Sequence, residues 1–400
     1  MAYGYNISQR KINKRNHIID LFRQHSILSK ARAKKLSAYS MDTIISIFSS
    51  LLDDHIIIPT EGTQKAKGRK ANFFTLNNDR RVYLGITFNQ SGIMSSLVSF
   101  SQEILADCSS KLRIGISKDD FFEAVRNNID ELLAGASLER ESISAVGCSV
   151  PGDIDIYSGV LRSYTLMPQL AGANFRKLAE TLFAGIPVII DHNIRSMTSY
   201  LLRDIELVDS YDKILFVSAR SGNANGFIQN GKLIIGHGEM GHVRVSDEDT
   251  QCICGRKGCL DCYFSLAGFT ALMPDGADLS RTIEVLTEKY AAGDPRITAE
   301  LDKRLSLFAS ALLDVVNVTA PDITVLSGDL FQVYGDPASA VKKIIQQNIT
   351  GSGYVTHFQN SEIIYREMGT NIASLGICYE MIKNDWGYYR EDKRKEIPQS

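Results

Sequence analysis

Long apolar runs are missing from this 400-residue chain: no stretch of about 18 apolar residues occurs, which excludes a membrane-spanning helix. The opening residues, MAYGYNISQRKINKRNH, also lack the apolar segment of a secretory signal, so a cytoplasmic location is expected. Cysteine is scarce, with seven in 400 residues, and in a reducing compartment those few are not expected to form disulfides. Apolar side chains are not scarce. At 44% of the sequence they suffice for a large core and for two or three domains.

A net charge of −2 conceals an uneven distribution. Residues 1–80 hold 14 Lys and Arg against 6 Asp and Glu, and the other 320 hold 30 against 40. A head of +8 on a body of −10 points to a polyanionic partner for the head, nucleic acid first among them; a solvated basic face is the bland alternative.

The pattern of the head sharpens this. Ile18, Ile19, Leu21 and Phe22 predict an apolar stripe on a first helix. Ser29 is placed to cap a short second helix carrying Ala33 and Leu36. A turn through Ser37–Tyr39 leads to a third helix, about Ser40 to Asp53, with Ile44, Ile47, Phe48, Leu51 and Leu52 at helical spacing. Two β-rich runs then flank a Lys- and Gly-rich tip. This is the outline of a winged helix-turn-helix, as opposed to a small helical protein-interaction domain. Ser40, Met41, Asp42, Thr43 and Ser46 would face the major groove of double-stranded DNA. Lys65, Lys67, Arg69 and Lys70 on the wing would touch phosphates or the minor groove.

From residue 81 onward, β-rich runs alternate with amphipathic segments, the pattern of an α/β protein. Within it, residues 242–263 place four of the seven cysteines beside His242. His242, Cys252, Cys254 and Cys259 stand at H-x9-C-x-C-x4-C, with Gly255 and Gly258 permitting a tight bend. Three thiolates and one imidazole make a closed tetrahedral set suited to structural zinc. Cys262 is a fifth candidate, and Cys259-x-x-Cys262 alone reads as a redox pair, but that reading leaves His242, Cys252 and Cys254 unexplained. Cys108, Cys148 and Cys378 lie in apolar surroundings and are expected in the core.

Several motifs together resemble the ROK family of sugar kinases and sugar-responsive repressors. They are LGI at 84–86, VPG at 150–152, PVIIDHNIRSM at 187–197, NGKLIIGHGEMGH at 230–242, CICGRKGCLD at 252–261 and NVTAPDITVLSGDL at 317–330. The resemblance implies an actin-like, RNase-H-like body of two α/β subdomains around a ligand cleft, behind the N-terminal winged helix. The implied divisions are 1–80 for the DNA-binding domain, 81–193 for the first subdomain and 194–370 for the second, with a C-terminal helix, 371–400, completing the first. The family motif C-x-C-G-x-x-G-C selects Cys259 as the fourth zinc ligand and leaves Cys262 out. The resemblance also places Asn193, Glu239, His242 and Asp261 around a sugar, with Gly152 in the neighbouring loop.

The departures from the family pattern carry the functional argument. A family kinase has an acidic residue and glycines after its first strand, where this chain reads Thr87-Phe88-Asn89-Gln90. The second phosphate loop is Arg220-Ser221-Gly222-Asn223-Ala224-Asn225-Gly226, which keeps two glycines. The aspartate that would deprotonate the sugar aligns with Asn193, and an amide cannot act as that base. Asp191 would replace it only if the strand end were re-registered. Asp261 stands where relatives carry Glu, one methylene longer. The chain is therefore expected to be a non-enzymatic transcriptional repressor, a homodimer or homotetramer that binds operator DNA under control of a sugar or sugar derivative. A sugar kinase with an accessory basic domain and a regulator governed by a protein partner are the alternatives.

Overall fold

The computed structural model describes residues 2–61, 72–78, 81–113, 115–234, 238–275, 281–348 and 361–384. Arg69 and Lys70, with Lys65 and Lys67, lie outside these described residues.

The head consists of α1 (Ala2–His25), β1 (Ile27–Ser29), α2 (Lys30–Ser37), α3 (Met41–Asp53), β2 (Ile57–Thr60) and β3 (Phe73–Leu76). Ser29 caps α2 by accepting from the Arg32 N–H, and Ser40 caps α3 by accepting from the Thr43 N–H. β2 and β3 pair antiparallel, and β1, which hydrophobic patterning did not suggest, adds to the far side of β3. Ile44, Phe48 and Leu51 bury one side of α3 against Phe22 and Phe74.

The body holds two five-stranded sheets of one design. In the first, β4 (Val82–Asn89), β5 (Gly92–Ser99) and β6 (Ile104–Lys111) form an antiparallel meander. β7 (Ile143–Val150) and β10 (Val188–His192) then add in parallel on the other side of β4, giving the order β10-β7-β4-β5-β6. β8 (Asp153–Ile154) and β9 (Leu161–Ser163) make a small separate hairpin. The second sheet repeats the scheme with β11 (Lys213–Ala219), β12 (Asn223–Gln229), β13 (Lys232–Leu233), β14 (Ile323–Ser327) and β15 (Glu362–Tyr365), in the order β13-β12-β11-β14-β15. This pairing of two RNase-H-like sheets is the expected architecture.

The helices of the body are α4 (Lys118–Ala136), α5 (Phe175–Leu182), α6 (Asn193–Tyr200), α7 (Ile205–Ser210), α8 (Leu266–Thr270), α9 (Thr282–Ala291), α10 (Pro295–Thr319), α11 (Pro337–Asn348) and α12 (Ile372–Asn384). None among the described residues is long and apolar enough to cross a membrane.

Strand alternation explains how the first sheet is covered on both faces. Val82, Leu84, Ile86 and Phe88 face the core built with α4 and α5. Tyr83 and Gly85 face the other way, toward α12. A Cβ at Gly85 would lie 1.9 Å from the Ser374 carbonyl oxygen, so α12 rests directly on the strand backbone. α6 approaches just as closely, since a Cβ at Gly376 would sit 1.7 Å from the Ser196 carbonyl oxygen. The C-terminal helix thus packs against β4, β5, β7 and α6.

The head is not tethered loosely to this body. Its apolar core (Ile18, Phe22, Phe48) is continuous with Tyr83, Phe100, Leu375 and Ile382 of the first sheet and α12. Arg23 of α1 seals the junction. It donates to the carbonyls of Phe100 (3.4 Å) and Ile382 (3.3 Å), and its guanidinium lies 4.8 Å from the centre of the Phe100 ring.

Candidate functional site: a polar cleft beside a cysteine-histidine cluster

A cleft of about 680 Å³ opens between the two sheets. Gly152, Asn193, Glu239, His242 and Asp261, scattered over 110 positions of sequence, all line it. Asn193 arrives as the first residue of α6, directly after β10. Glu239 precedes a 3-10 turn at Met240–His242 that ends on His242, and Asp261 sits in a second at Leu260–Cys262. Gly152 has a φ of +84°, and a Cβ there would meet the Ser163 carbonyl oxygen at 2.5 Å, which makes glycine a requirement of this turn.

The altered kinase positions are accounted for by local bonding. Thr87 is buried, and its hydroxyl donates to the Ser149 carbonyl at 2.8 Å. Asn89 accepts from the N–H groups of Ser91 and Gly92 and so closes the β4–β5 turn. Asp191 is not among the residues lining the cleft: its two carboxylate oxygens accept from Arg195 Nε at 3.0 and 3.1 Å. Burial raises the Asp191 pKa, with Arg195 pulling it back. The strand end is not re-registered, and Asn193 keeps the position that faces the cleft.

The loop 220–226 keeps its two glycines for packing reasons. A Cβ at Gly226 would lie 1.9 Å from Thr198 Oγ1 on α6, and one at Gly222 would lie 2.9 Å from Asp261 Oδ2. Arg220 crosses the loop mouth to donate to the carbonyls of Met368 (2.7 Å) and Gly369 (3.4 Å). Asp261 is tied to the same loop, because its Oδ1 accepts from both the backbone N–H and the side-chain amide of Asn223, each at 2.9 Å. Burial raises its pKa, and the Asn223 bonds oppose that shift.

Sequence reasoning missed Asn223 as the partner of Asp261. It also missed Tyr164, a buried residue that lines the cleft together with Ser221 of the opposite lobe and whose pKa burial pushes up to about 12. Neither carries a motif; only the folded chain brings 223 to 261 or 164 to 221.

Against one wall of the cleft lies the cysteine cluster. The donor atoms of His242, Cys252, Cys254 and Cys259 all fall within 4.8 Å of one another. Cys254 Sγ and Cys259 Sγ are 3.7 Å apart, as are Cys252 Sγ and His242 Nδ1. Donors bound at about 2.0–2.3 Å to one tetrahedral ion stand about 3.5–3.8 Å apart, so these two pairs are already at metal-ligand spacing and the whole set could close on one ion. Cys262 is not part of it; its thiol points to the Thr250 carbonyl at 3.8 Å.

The N–H of Arg256 leads the contacts that lower the Cys254 thiol to about 6, and the Arg256 guanidinium donates to the His242 carbonyl. Burial pushes Cys259 up to about 12. Of the remaining cysteines, Cys148 and Cys378 are fully buried, while Cys108 is half-buried beside the Asn128 amide at 3.3 Å.

On the head, Ser40, Met41, Asp42 and Ser46 are exposed at the start of α3. Thr43 is only half-buried-to-solvent and is committed to the cap: its Oγ1 lies 2.9 Å from Ser40 Oγ, so the two hydroxyls satisfy each other. Ile45, which the periodicity left unassigned, is 46% exposed on the same face.

Two sheets of matched order, closing on a polar cleft, define a two-lobed α/β body, here preceded by a head of three helices and a three-stranded sheet. Residues 83–382 match the ROK family, and the chain belongs to it. It is 22% identical over 393 residues to a putative xylose repressor of Caldicellulosiruptor sp. (strain Rt8B.4), covering 92% of this chain and 94% of that one. An N-acetyl-D-glucosamine kinase of Aliivibrio salmonicida is 27% identical over 232 residues, 54% of this chain and 76% of the kinase. Among solved structures, a ROK family transcriptional regulator described as a homologue of the E. coli Mlc protein superposes with a TM-score of 0.72 at 20% identity. That likeness covers 94% of this chain and 96% of the regulator.

Proposed function

We propose that this chain is a transcriptional repressor whose head, residues 1–80, binds operator DNA and whose cleft binds a sugar that controls that binding. The body divides into 81–193, completed by α12, and 194–370. The observation that carries the reading is the composition of the cleft. Glu239, His242 and Asp261 line it and would meet a sugar's hydroxyls, while Thr87 and Asn193 stand where the family resemblance puts a kinase's acidic residue and base. The repressor named above aligns along both head and body, whereas the kinase aligns with about half of this chain. Zinc is the metal that three thiolates and one imidazole suit best, and it is structural because all four ligands come from the protein. With Nδ1 turned to the thiols, the other ring nitrogen of His242 is left for a sugar hydroxyl. The active form is a homodimer or homotetramer on a two-fold operator.

The test combines operator titration with sugar binding. Wild-type protein should bind one of a panel of monosaccharides and hexose phosphates by calorimetry, and that sugar should shift its affinity for operator DNA. Glu239→Ala should bind it at least about tenfold more weakly, since hydrogen bonds to a charged group are worth about 1.5–3 kcal/mol. Incubation with ATP should yield no sugar phosphate. ATP-dependent turnover would restore the kinase reading, and tight sugar binding unaffected at Glu239 would refute the assignment of the cleft.

DNA contact is tested on the intact chain, because removing the head would strip cover from Tyr83, Phe100 and Ile382. Neutralising Arg69 and Lys70 should weaken binding to all sequences and flatten its salt dependence. Exchanging Ser46 or Ile45 should change which sequences are preferred, Ile45 at thymine methyl groups. An unchanged salt slope and an unchanged preference would together rule out this placement of the interface.

A further inference from the structure

The cysteine loop carries a side chain that neither metal binding nor packing explains. Ile253 lies between Cys252 and Cys254, is 62% exposed, and lines the cleft together with Glu239, His242, Cys254 and Asp261. Its neighbour Cys252 is buried at 4% exposure, whereas Ile253 stands mostly outside the interior.

The backbone that presents it is held from several sides. The Cys252 N–H donates to the Arg256 carbonyl at 2.7 Å, and the Gly255 N–H donates back to Cys252 at 3.0 Å. Gln251 and Lys257 bridge the two arms of the loop, and Gly255 turns it at a φ of +86°. With both flanking cysteines on one ion, the two residues beside Ile253 become fixed points.

A sugar ring has two kinds of surface. Its hydroxyl rim wants carboxylates, amides and imidazole, which Glu239, Asp261, Asn193 and His242 supply. Its C–H faces want an aliphatic or aromatic wall. Leu166 and Leu266 also line the cleft but are half-buried; Ile253, on the cysteine loop, is the aliphatic lining residue that stands mostly exposed among the described residues.

We propose that Ile253 is a specificity-determining contact of the effector site, covering a C–H face of the bound sugar, and that the metal serves that site by holding Ile253 in position. This rests on the sugar reading above. Binding of sugar and retention of metal are then linked, and linkage is reciprocal: the sugar should slow loss of the ion.

The experiment uses the full-length, zinc-loaded protein and follows two readouts. Calorimetry with D-xylose, D-glucose, N-acetyl-D-glucosamine and hexose 6-phosphates measures affinity. Transfer of zinc to a chromogenic chelator, with and without the sugar that binds, measures release of the metal. Ile253→Ala should keep its zinc and its melting temperature, since the side chain is exposed, yet bind the sugar roughly five- to tenfold more weakly from the lost apolar contact. Ile253→Leu should recover most of that loss. Bound sugar should slow zinc release from the wild type several-fold, and less so from Ile253→Ala. Unchanged sugar affinity in Ile253→Ala, or zinc release from the wild type indifferent to a sugar that binds, would overturn the proposal. Failure of every sugar to bind the wild type would overturn the sugar reading, and the proposal with it.

Discussion

Cys254→Ser is expected to release the metal and to lower the melting temperature of the body by several degrees. A structural zinc site couples its binding free energy to local folding, about 10–16 kcal/mol in isolated zinc-finger peptides. Here Cys252 and Cys259 are buried within a lobe that has its own core, so only part of that energy is at stake. A loss of about 3 kcal/mol or more is the expected scale. The loss should not stay local. The Leu260 N–H donates to the Val243 carbonyl, and Arg244 bridges Cys259, so the segments carrying Glu239, His242 and Asp261 are joined through the cluster. Sugar response should therefore fall together with stability. Cys262→Ser, outside the cluster, should change neither metal content nor melting. Metal analysis and calorimetry on both variants decide the matter, and a Cys254→Ser protein with a full complement of zinc and wild-type melting would refute it.

Gly376→Ala should destabilise the protein by about 3 kcal/mol, the upper end of what one added methyl costs in a packed interior. The new methyl carbon would lie 1.7 Å from the Ser196 carbonyl oxygen and 2.5 Å from its carbon, all backbone atoms of α6. Neither helix can yield there without leaving the sheet. Gly135→Ala is the control: it sits in α4 with nothing within 4 Å, and should be neutral or slightly stabilising. A functional effect should accompany the loss. α12 follows Thr370 and carries Ala373, both on the cleft, and Ile382 near its other end accepts from Arg23 of the head. Wedging α12 away from α6 should blunt the effect of sugar on operator affinity before it abolishes either binding event. Chemical denaturation and operator titration with and without sugar would check this. Equal stability of the two alanine variants would show that the contact relaxes at no cost.

Much of the local structure was legible in the sequence because it is written in short-range chemistry. Ser29 and Ser40 cap helices through N–H groups three residues away, and the alternation of Val82 through Phe88 sets one face of β4. The cluster at 242–259 was legible through spacing and ligand chemistry. What escaped were pairings between remote residues. Arg23 meets Phe100 across 77 positions and Ile382 across 359, and nothing in the local pattern marks an arginine for burial at a junction. Asp261 and Asn223 belong to different motifs, and the bond between them appears only once both lobes are built. At the head, Thr43 was grouped with the exposed residues because its helical phase is outward, but the cap at Ser40 claims its hydroxyl.

The continuous core between head and body has a further consequence. Only residues 77–81 separate β3 from β4, and Arg23 pins α1 to the far end of the chain. If the head reads DNA as proposed, the shared core with the body would hold it at a fixed orientation relative to that body. In any symmetric assembly, the distance and twist between two recognition helices would be inherited from how the bodies meet. The gap between operator half-sites is then recorded on the body's assembly surface, and two proteins with identical recognition helices could answer to differently spaced operators.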